Sequence, residues 1–384
     1  MSSKSNKPIA LVMDEYINGL GLVRSLGKDP SVPVWALIWE GSMVGSSRYV
    51  DKVIWYTDRE DFDRKLIEIN NIGRKVVPYF AKDVNFLRLN QLKDQLPNFV
   101  IEYHDVDILD KNYQTQFAMD SGITIPPSKR INSKEDYYKI KELPLPIIVK
   151  PSQHNDEGKS AFKAIITDDP KEVERLCERC FENRQTAIIA EYIPGGDDSL
   201  YTFGGYAHKG KLIEVFHGRK LVQKPRSTGT ATTAESLPGL NLEPMCEQFI
   251  KDTGYTGIFQ LEFKKSTKND KYYFIEFNPR NWLWSYCATI SGANLPLAKY
   301  YTESETKVYE RTPSIKKTSI HGIEGLLFNL FRDKWPGAIW ITIKAMLRAK
   351  RHSFFKYKWN DLRPLMKWLH NTFLNLIGKR KNRR

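Results

Sequence analysis

The chain has 384 residues, 41% hydrophobic and 12% aromatic, which excludes a disordered protein and leaves room for two or three domains around a sizeable core. Four cysteines in this length make no disulfide framework, and no run of about 18 apolar residues marks a membrane span. The net charge of +14 is concentrated at one end: from Arg311 onward lie 18 of the 59 Lys and Arg but only three of the 45 acids, Glu324, Asp333 and Asp361. The basicity therefore belongs to a C-terminal segment, and the rest of the chain is close to neutral.

The N-terminal stretch MSSKSNKPIALVMDEY offers only Ile9 to Met13 as an apolar run, too short for a signal-peptide core, so a cytoplasmic protein is expected. PIALVM reads as a buried strand, INGLGLVRSLG as a helix and VPVWALIW as a second strand. DREDFDRKLIEINNIG has helical spacing, and KVVPYF and NFVIEY read as further strands. Strands alternating with helices predict a parallel sheet over residues 1–105. NGLG after the first strand is a degraded glycine motif, better read as a turn into a helix than as a phosphate cradle.

A second unit starts at 106. LDKNYQTQFAMDSGITIPPS predicts a helix closed by Gly122, and PIIVKPS a strand ending in Lys150. PKEVERLCERCFENRQ predicts a helix with proline in its first turn, and TAIIAEYIPGGDDS a strand running into a glycine turn. LYTFGGYAHKGKLIEVFHGRKL predicts a hairpin turning at HKGK, followed by a polar loop, VQKPRSTGTATTAES. Cys177 and Cys180 form a lone CxxC inside a helix and read as ordinary helix cysteines; the seven histidines show no ligand spacing.

GIFQLEFKK and KYYFIEFNPR alternate with period two and are joined by STKND, which predicts an antiparallel hairpin. Phe259, Leu261 and Phe263 make one face of the first strand and Gln260, Glu262 and Lys264 the other. In the second strand Tyr273, Ile275 and Phe277 alternate with Phe274, Glu276 and Asn278. Pairing about the centre sets Glu262 opposite or nearly opposite Glu276, an unfavourable pair unless something positive sits between them. With Asn278 alongside, the oxygen donors suit Mg²⁺, and Arg280 offers a planar cation for a phosphate or carboxylate; a solvated polar face is the other reading.

The order Lys111, Lys150, AEYIPGGDD, Glu262 and IEFNPR resembles the ATP-grasp superfamily over residues 105–300. The resemblance implies an α/β (α+β) fold: a Rossmann-like pre-ATP-grasp domain (1–105), an ATP-grasp domain (106–310) with a mobile lid (134–195), and a basic helical C-terminal extension (311–384). It implies that Lys111 and Lys150 reach the phosphates of ATP, that Glu191, Tyr192 and Ile193 hold adenine, and that Asp198 lies near the ribose. SQHNDEGKSAFK becomes the loop over the phosphates, with a single glycine where the family has several. Glu262, Glu276 and Asn278 become ligands of Mg²⁺, with Mn²⁺ as a substitute, and Arg280 steadies the reacting carboxyl phosphate. The implied reaction activates a carboxylate as an acylphosphate, which an amine then captures as an amide. SRYVDKVIWYT and FNPRNWLWSYCATISGANLP are similar to the carboxylate–amine ligases that include D-aspartate ligases, so an amino acid and a peptidoglycan precursor amine are the expected substrates. Arg219, Lys220 and Arg226, on the predicted loop, are candidates for the acceptor's carboxylates. Synthesis of a dipeptide or another amide, and a non-catalytic ATP-binding module that docks on membranes, are the rival readings.

The C-terminal segment mixes apolar and basic residues at helical spacing, with Leu365, Trp368, Leu369, Phe373, Leu376 and Ile377 on one face. Three destinations fit it: an anionic membrane surface at the inner face of the membrane, the enzyme's own core, or nucleic acid. The last is disfavoured, because no nucleic-acid motif accompanies the heavy apolar face.

Overall fold

The computed structural model of the chain describes residues 4–101, 106–152, 160–312 and 316–381. The first unit runs β1 (Ile9–Met13), α1 (Ile17–Leu26), β2 (Val34–Trp39), β3 (Lys52–Tyr56), α2 (Arg59–Asn70), β4 (Val76–Phe80) and α3 (Asp83–Leu92). Its strands lie parallel in the order β3-β2-β1-β4. A parallel sheet is covered on both faces, and β1 is accordingly apolar and buried at every position. Leu66 and Ile69 of α2 cover one face and Leu20, Val23 and Leu26 of α1 the other. The NGLG segment lies inside α1, where a Cβ on Gly19 would stand 2.0 Å from the Asp14 carbonyl oxygen, so the glycine serves close packing. Residues 98–101, expected as part of a strand, contribute a single parallel bridge between Val76 and Phe99.

The second unit comprises α4 (Lys111–Asp120), β5 (Ser128–Ile131), β6 (Ile147–Pro151), β7 (Ile165–Thr167), α5 (Pro170–Glu182) and β8 (Ala187–Glu191). Asp110 caps α4 by accepting from the Asn112 and Tyr113 amides, and Gly122 (φ +77°) turns the chain away after it. The four strands form an antiparallel sheet in the order β5-β8-β6-β7. Val173, Leu176, Cys177 and Cys180 of α5 pack on Ile147, Val149 and Ile189 beneath it. Both thiols are buried core groups, pushed up to about 12 and about 11 by burial.

The third unit carries β9 (Leu200–His208), β10 (Lys211–Lys224), β11 (Thr230–Ser236), α6 (Glu243–Thr253), β12 (Gly257–Lys265), β13 (Tyr272–Asn278), α7 (Tyr286–Ser291), α8 (Leu295–Ser304), β14 (Thr318–His321), α9 (Ile323–Phe331), α10 (Gly337–Arg348), β15 (Arg351–Phe354) and α11 (Arg363–Lys381). Seven strands form one sheet in the order β13-β12-β9-β10-β11-β14-β15. Most of the segment read as a loop after the hairpin is strand: β10 continues to Lys224 and β11 occupies Thr230–Ser236. Its threonines and alanines are small because helices approach closely; a Cβ on Gly325 of α9 would stand 2.0 Å from Thr232 Cγ2.

Two features of the C-terminal segment differ from a separate helical extension. β14 pairs with β11 and β15 with β14, so both complete the central sheet. Asp361 reaches the first unit, where its buried carboxylate pairs with Arg24 Nε at 2.9 Å.

Candidate active site

Between the sheet of the second unit and the seven-stranded sheet lies a cavity of about 500 Å³, within the ~300–1,000 Å³ range of ligand sites. Lys150 and Ile188 line it from one sheet, Lys220, Glu262 and Glu276 from the other, and Lys111 from α4. No His or Cys is among its described lining residues.

The β12–β13 hairpin sets the centre of the site. Glu262 and Glu276 are directly opposite in the ladder. A register shift beside Glu262 interrupts the expected alternation of β13: Glu262 faces Glu276, but Phe263 faces Phe274, leaving Ile275 unopposed. Phe274 therefore joins Phe277 in the apolar core, against the expectation that it shares a face with Glu276. Glu276 and Asn278 line the cavity with Gln260.

A compensating charge reaches the carboxylate pair from β10, across the intervening strand β9. Lys220 Nζ lies 2.8 Å from Glu262 Oε1 and 3.0 Å from Oε2. Gln260 Nε2 donates to Glu262 Oε1 at 2.9 Å, and Asn278 Nδ2 donates to Glu276 Oε1 at 3.0 Å. Burial opposes ionisation of Glu276, yet Lys111, the Asn278 amide, Lys220 and Lys150 hold it down to about 2. Burial pushes Glu262 the other way, with the Glu276 charge adding to it against Lys220. Two carboxylates sharing one site split their affinities in this manner.

Lys111 Nζ donates to the Pro151 carbonyl at 3.3 Å and Lys150 Nζ to the Ile275 carbonyl at 3.2 Å. Burial, reinforced by Lys111, pushes Lys150 down to about 8, with Glu276 opposing. Lys163 also lines the cavity and is lowered by burial and by Lys220. An anion arriving among these ammonium groups meets charges already stripped of much of their water.

Glu191, Tyr192 and Ile193 lie at the end of β8, where Tyr192 N donates to the Pro146 carbonyl, and all three line the cavity. Lys264 Nζ sits 4.0 Å from the centre of the Tyr192 ring. Arg280 enters from the end of β13, with Nε donating to Asp83 Oδ1 of α3 at 2.5 Å. Trp282 and Trp284 continue that wall; Trp282 packs so closely on Gly204 that a Cβ there would lie 2.3 Å from the indole.

Three expected residues are not brought to the cavity. Asp198 is exposed, while the neighbouring Asp197 is buried and accepts from the Gln223 and Ser227 amides, fixing the turn after β10. Arg219 points to Glu235 (Nε to Oε1, 2.8 Å) and Arg226 lies over the Trp335 ring at 4.5 Å. Lys220, expected on the acceptor loop, is on a strand and against Glu262. The expected phosphate loop falls largely on 153–159, outside the described residues. Sequence reasoning missed Lys163, Asp83 and the pairing of Lys220. The alternation of β12 did expose Gln260 and Lys264, but nothing local marked Asp83, whose partner is 197 positions away.

The groups at the centre that could ligate a cation are the Glu262 and Glu276 carboxylates and the Asn278 and Gln260 amide oxygens, all of them oxygen donors. Among the described residues no group of three or more Asp, Glu, His or Cys is placed to hold a metal. The set nevertheless fits a hard divalent cation that takes one or two carboxylates and fills its other positions with water or phosphate oxygens.

No family model matches the chain. It is 22% identical over 235 residues to a D-aspartate ligase of Enterococcus faecium, covering 56% of this chain and 55% of that protein. It is 23% identical over 227 residues to a carbamoyl-phosphate synthase of Methanobrevibacter smithii, covering 56% and 59%. The chain thus spans somewhat over half the length of the curated relatives it matches. Among solved structures, N5-carboxyaminoimidazole synthetase from Staphylococcus aureus, complexed with ADP, superposes with a TM-score of 0.65 at 14% identity, covering 85% of this chain and 86% of that one. At such identity the likeness is one of fold.

Proposed function

On this ATP-grasp fold, we propose that the chain is an ATP-dependent carboxylate–amine ligase, releasing ADP and phosphate as it forms an amide. The observation that carries this reading is the facing Glu262–Glu276 pair in a cavity that also gathers Lys111, Lys150, Lys163 and Lys220. A saturated structural ion cluster needs no such cavity; a phosphate-binding one does.

Glu191, Tyr192 and Ile193 hold the adenine in this reading, and Lys111 and Lys150 bind the phosphates as compact charges. Glu262, Glu276 and Asn278 would hold Mg²⁺, or Mn²⁺ in its place, and the bound cation would supply neutralising charge to the transferring phosphoryl group. The substrate carboxylate oxygen attacks the γ-phosphorus and the bond to ADP breaks. The amine then displaces phosphate from the acyl carbon and loses its proton. Arg280, oriented by Asp83, stabilises negative charge on the acyl phosphate. The second-unit sheet closes over the cavity to exclude water, which would otherwise hydrolyse the activated acyl group. The similarity to a D-aspartate ligase supports an amino acid as the carboxylate. The proposal adds an amine of a peptidoglycan precursor as the acceptor and a place at the inner face of the membrane, for which the basic residues after Arg311 speak.

ADP release with Mg-ATP, D- and L-amino acids and hydroxylamine as a surrogate amine tests the reading. Hydroxamate formed with D-aspartate supports the ligase and its substrate together. Hydroxamate with another amino acid keeps the ligase and discards the precursor. ATP binding without turnover on any carboxylate overturns it in favour of a non-catalytic module.

A further inference from the structure

We infer that the outward faces of α9 and α10 form a docking surface for an anionic phospholipid bilayer. This deepens the location part of the proposed function, and its readout does not depend on turnover.

The two helices pack on each other and against β10, β11 and β14 of the large sheet. Their buried positions fix which way they face: Gly325 and Asn329 of α9, and Ala338, Thr342 and Ala345 of α10, point inward. Helical periodicity then turns Ile323, Leu327 and Phe331 out on α9, and Trp340, Ile343 and Leu347 out on α10. These residues are exposed in fact: Phe331 by 73%, Trp340 by 66% and Leu347 by 80%. Two adjacent helices that turn large apolar side chains outward are unusual for a surface that meets only water.

Charge selects the occupant. Between Ile323 and Arg351 lie Arg332, Lys334, Lys344, Arg348, Lys350 and Arg351 against two acids. Both acids are engaged: Glu324 is held by Lys356, and Asp333 accepts from the Asn329 amide and the Arg226 backbone. An apolar stripe edged by uncompensated cations complements lipid headgroups above acyl chains, with tryptophan suited to the boundary. Among the described residues no helix is long and apolar enough to cross a membrane, so the fit is to lying on the surface. A second copy of the chain would bring the same positive charge to the contact.

Cosedimentation of the full chain with vesicles tests this. Phosphatidylcholine vesicles, with and without phosphatidylglycerol, are compared at low and high salt. The expected result is partitioning to the anionic vesicles, weakened by salt, and lowered about tenfold in a Trp340→Ser/Leu347→Ser variant. A Lys344→Gln/Arg348→Gln variant should lose much of the salt dependence. Unchanged thermal midpoints show that both variants fold. Equal partitioning of wild type and the apolar variant overturns the proposal. So does a self-associating chain that is dispersed by the Trp340→Ser/Leu347→Ser change while never binding vesicles, or binding to nucleic acid alone.

Discussion

The buried charges around Arg24 and those around Glu262 and Glu276 are built differently. Around Arg24 every direction is used: Nε meets Asp361, Nη1 the Phe355 carbonyl and Nη2 the Lys356 carbonyl, while Asp361 also accepts from Ser47 Oγ and Arg48 N. Both charged side chains are fully buried, and the cluster ties the C-terminal segment to the first unit. Around Glu262 and Glu276 the charges face a cavity, with like charges opposed across a ladder and lysines collected opposite them. A closed set of buried partners serves the fold; an open set has bonding capacity left for something that arrives.

The sharpest way to break that comparison is to neutralise one charge in each cluster. Glu276→Gln keeps the shape of the side chain but removes the charge proposed to hold the cation, and should lower kcat by about 10³ or more with the thermal midpoint little changed. Near-normal ADP release from that variant would end the catalytic assignment. Asp361→Ala should do the reverse. It strands Arg24 without its carboxylate and should cost about 3–5 kcal/mol in chemical denaturation, while the folded fraction keeps its turnover. Equal stability would mean that the pair is not structural.

Asp83 lies where the two roles meet, since it belongs to the first unit yet orients Arg280 in the cavity. Asp83→Asn keeps a hydrogen-bond acceptor but loses the charge, and should lower kcat by about tenfold while the KM for ATP stays within twofold. A change confined to the KM for ATP would place Arg280 at nucleotide binding instead. A separate effect is expected on acid stability. Burial pushes both His217 and His321 down to about 4 from the ordinary 6.5, so below 6.5 the unfolded chain binds protons that the folded chain refuses. Stability contributed by these neutral imidazoles is therefore full above pH 6.5 and is lost as pH falls toward 4. Urea midpoints at pH 7 and pH 5 should show the drop, and His321→Gln should flatten it.

Much of this architecture was legible because it rests on period and local chemistry. The apolar runs of β1 and β2, the proline at the start of α5, the Gly122 turn and the alternating hairpin each declare themselves within a dozen residues. The same hairpin shows the limit. Alternation pairs Glu262 with Glu276, but the register shift at Ile275, which sends Phe274 into the core, depends on packing beneath the strand. The small residues of β11 read as a loop because their burial comes from helices arriving later in the chain.

The sequence by itself determined the element types, the acid pair with its oxygen donors, and the concentration of positive charge after Arg311, since these follow from residue type and spacing. Only the tertiary structure decided which cations serve which carboxylates. Lys220 was drawn from an apparent loop to Glu262, Asp83 to Arg280 and Asp361 to Arg24, while Asp198, Arg219 and Arg226 were left outside the cavity. The physical reason is that an ion pair's strength depends on separation in space and on the water excluded around it, and neither quantity is written in the order of the residues.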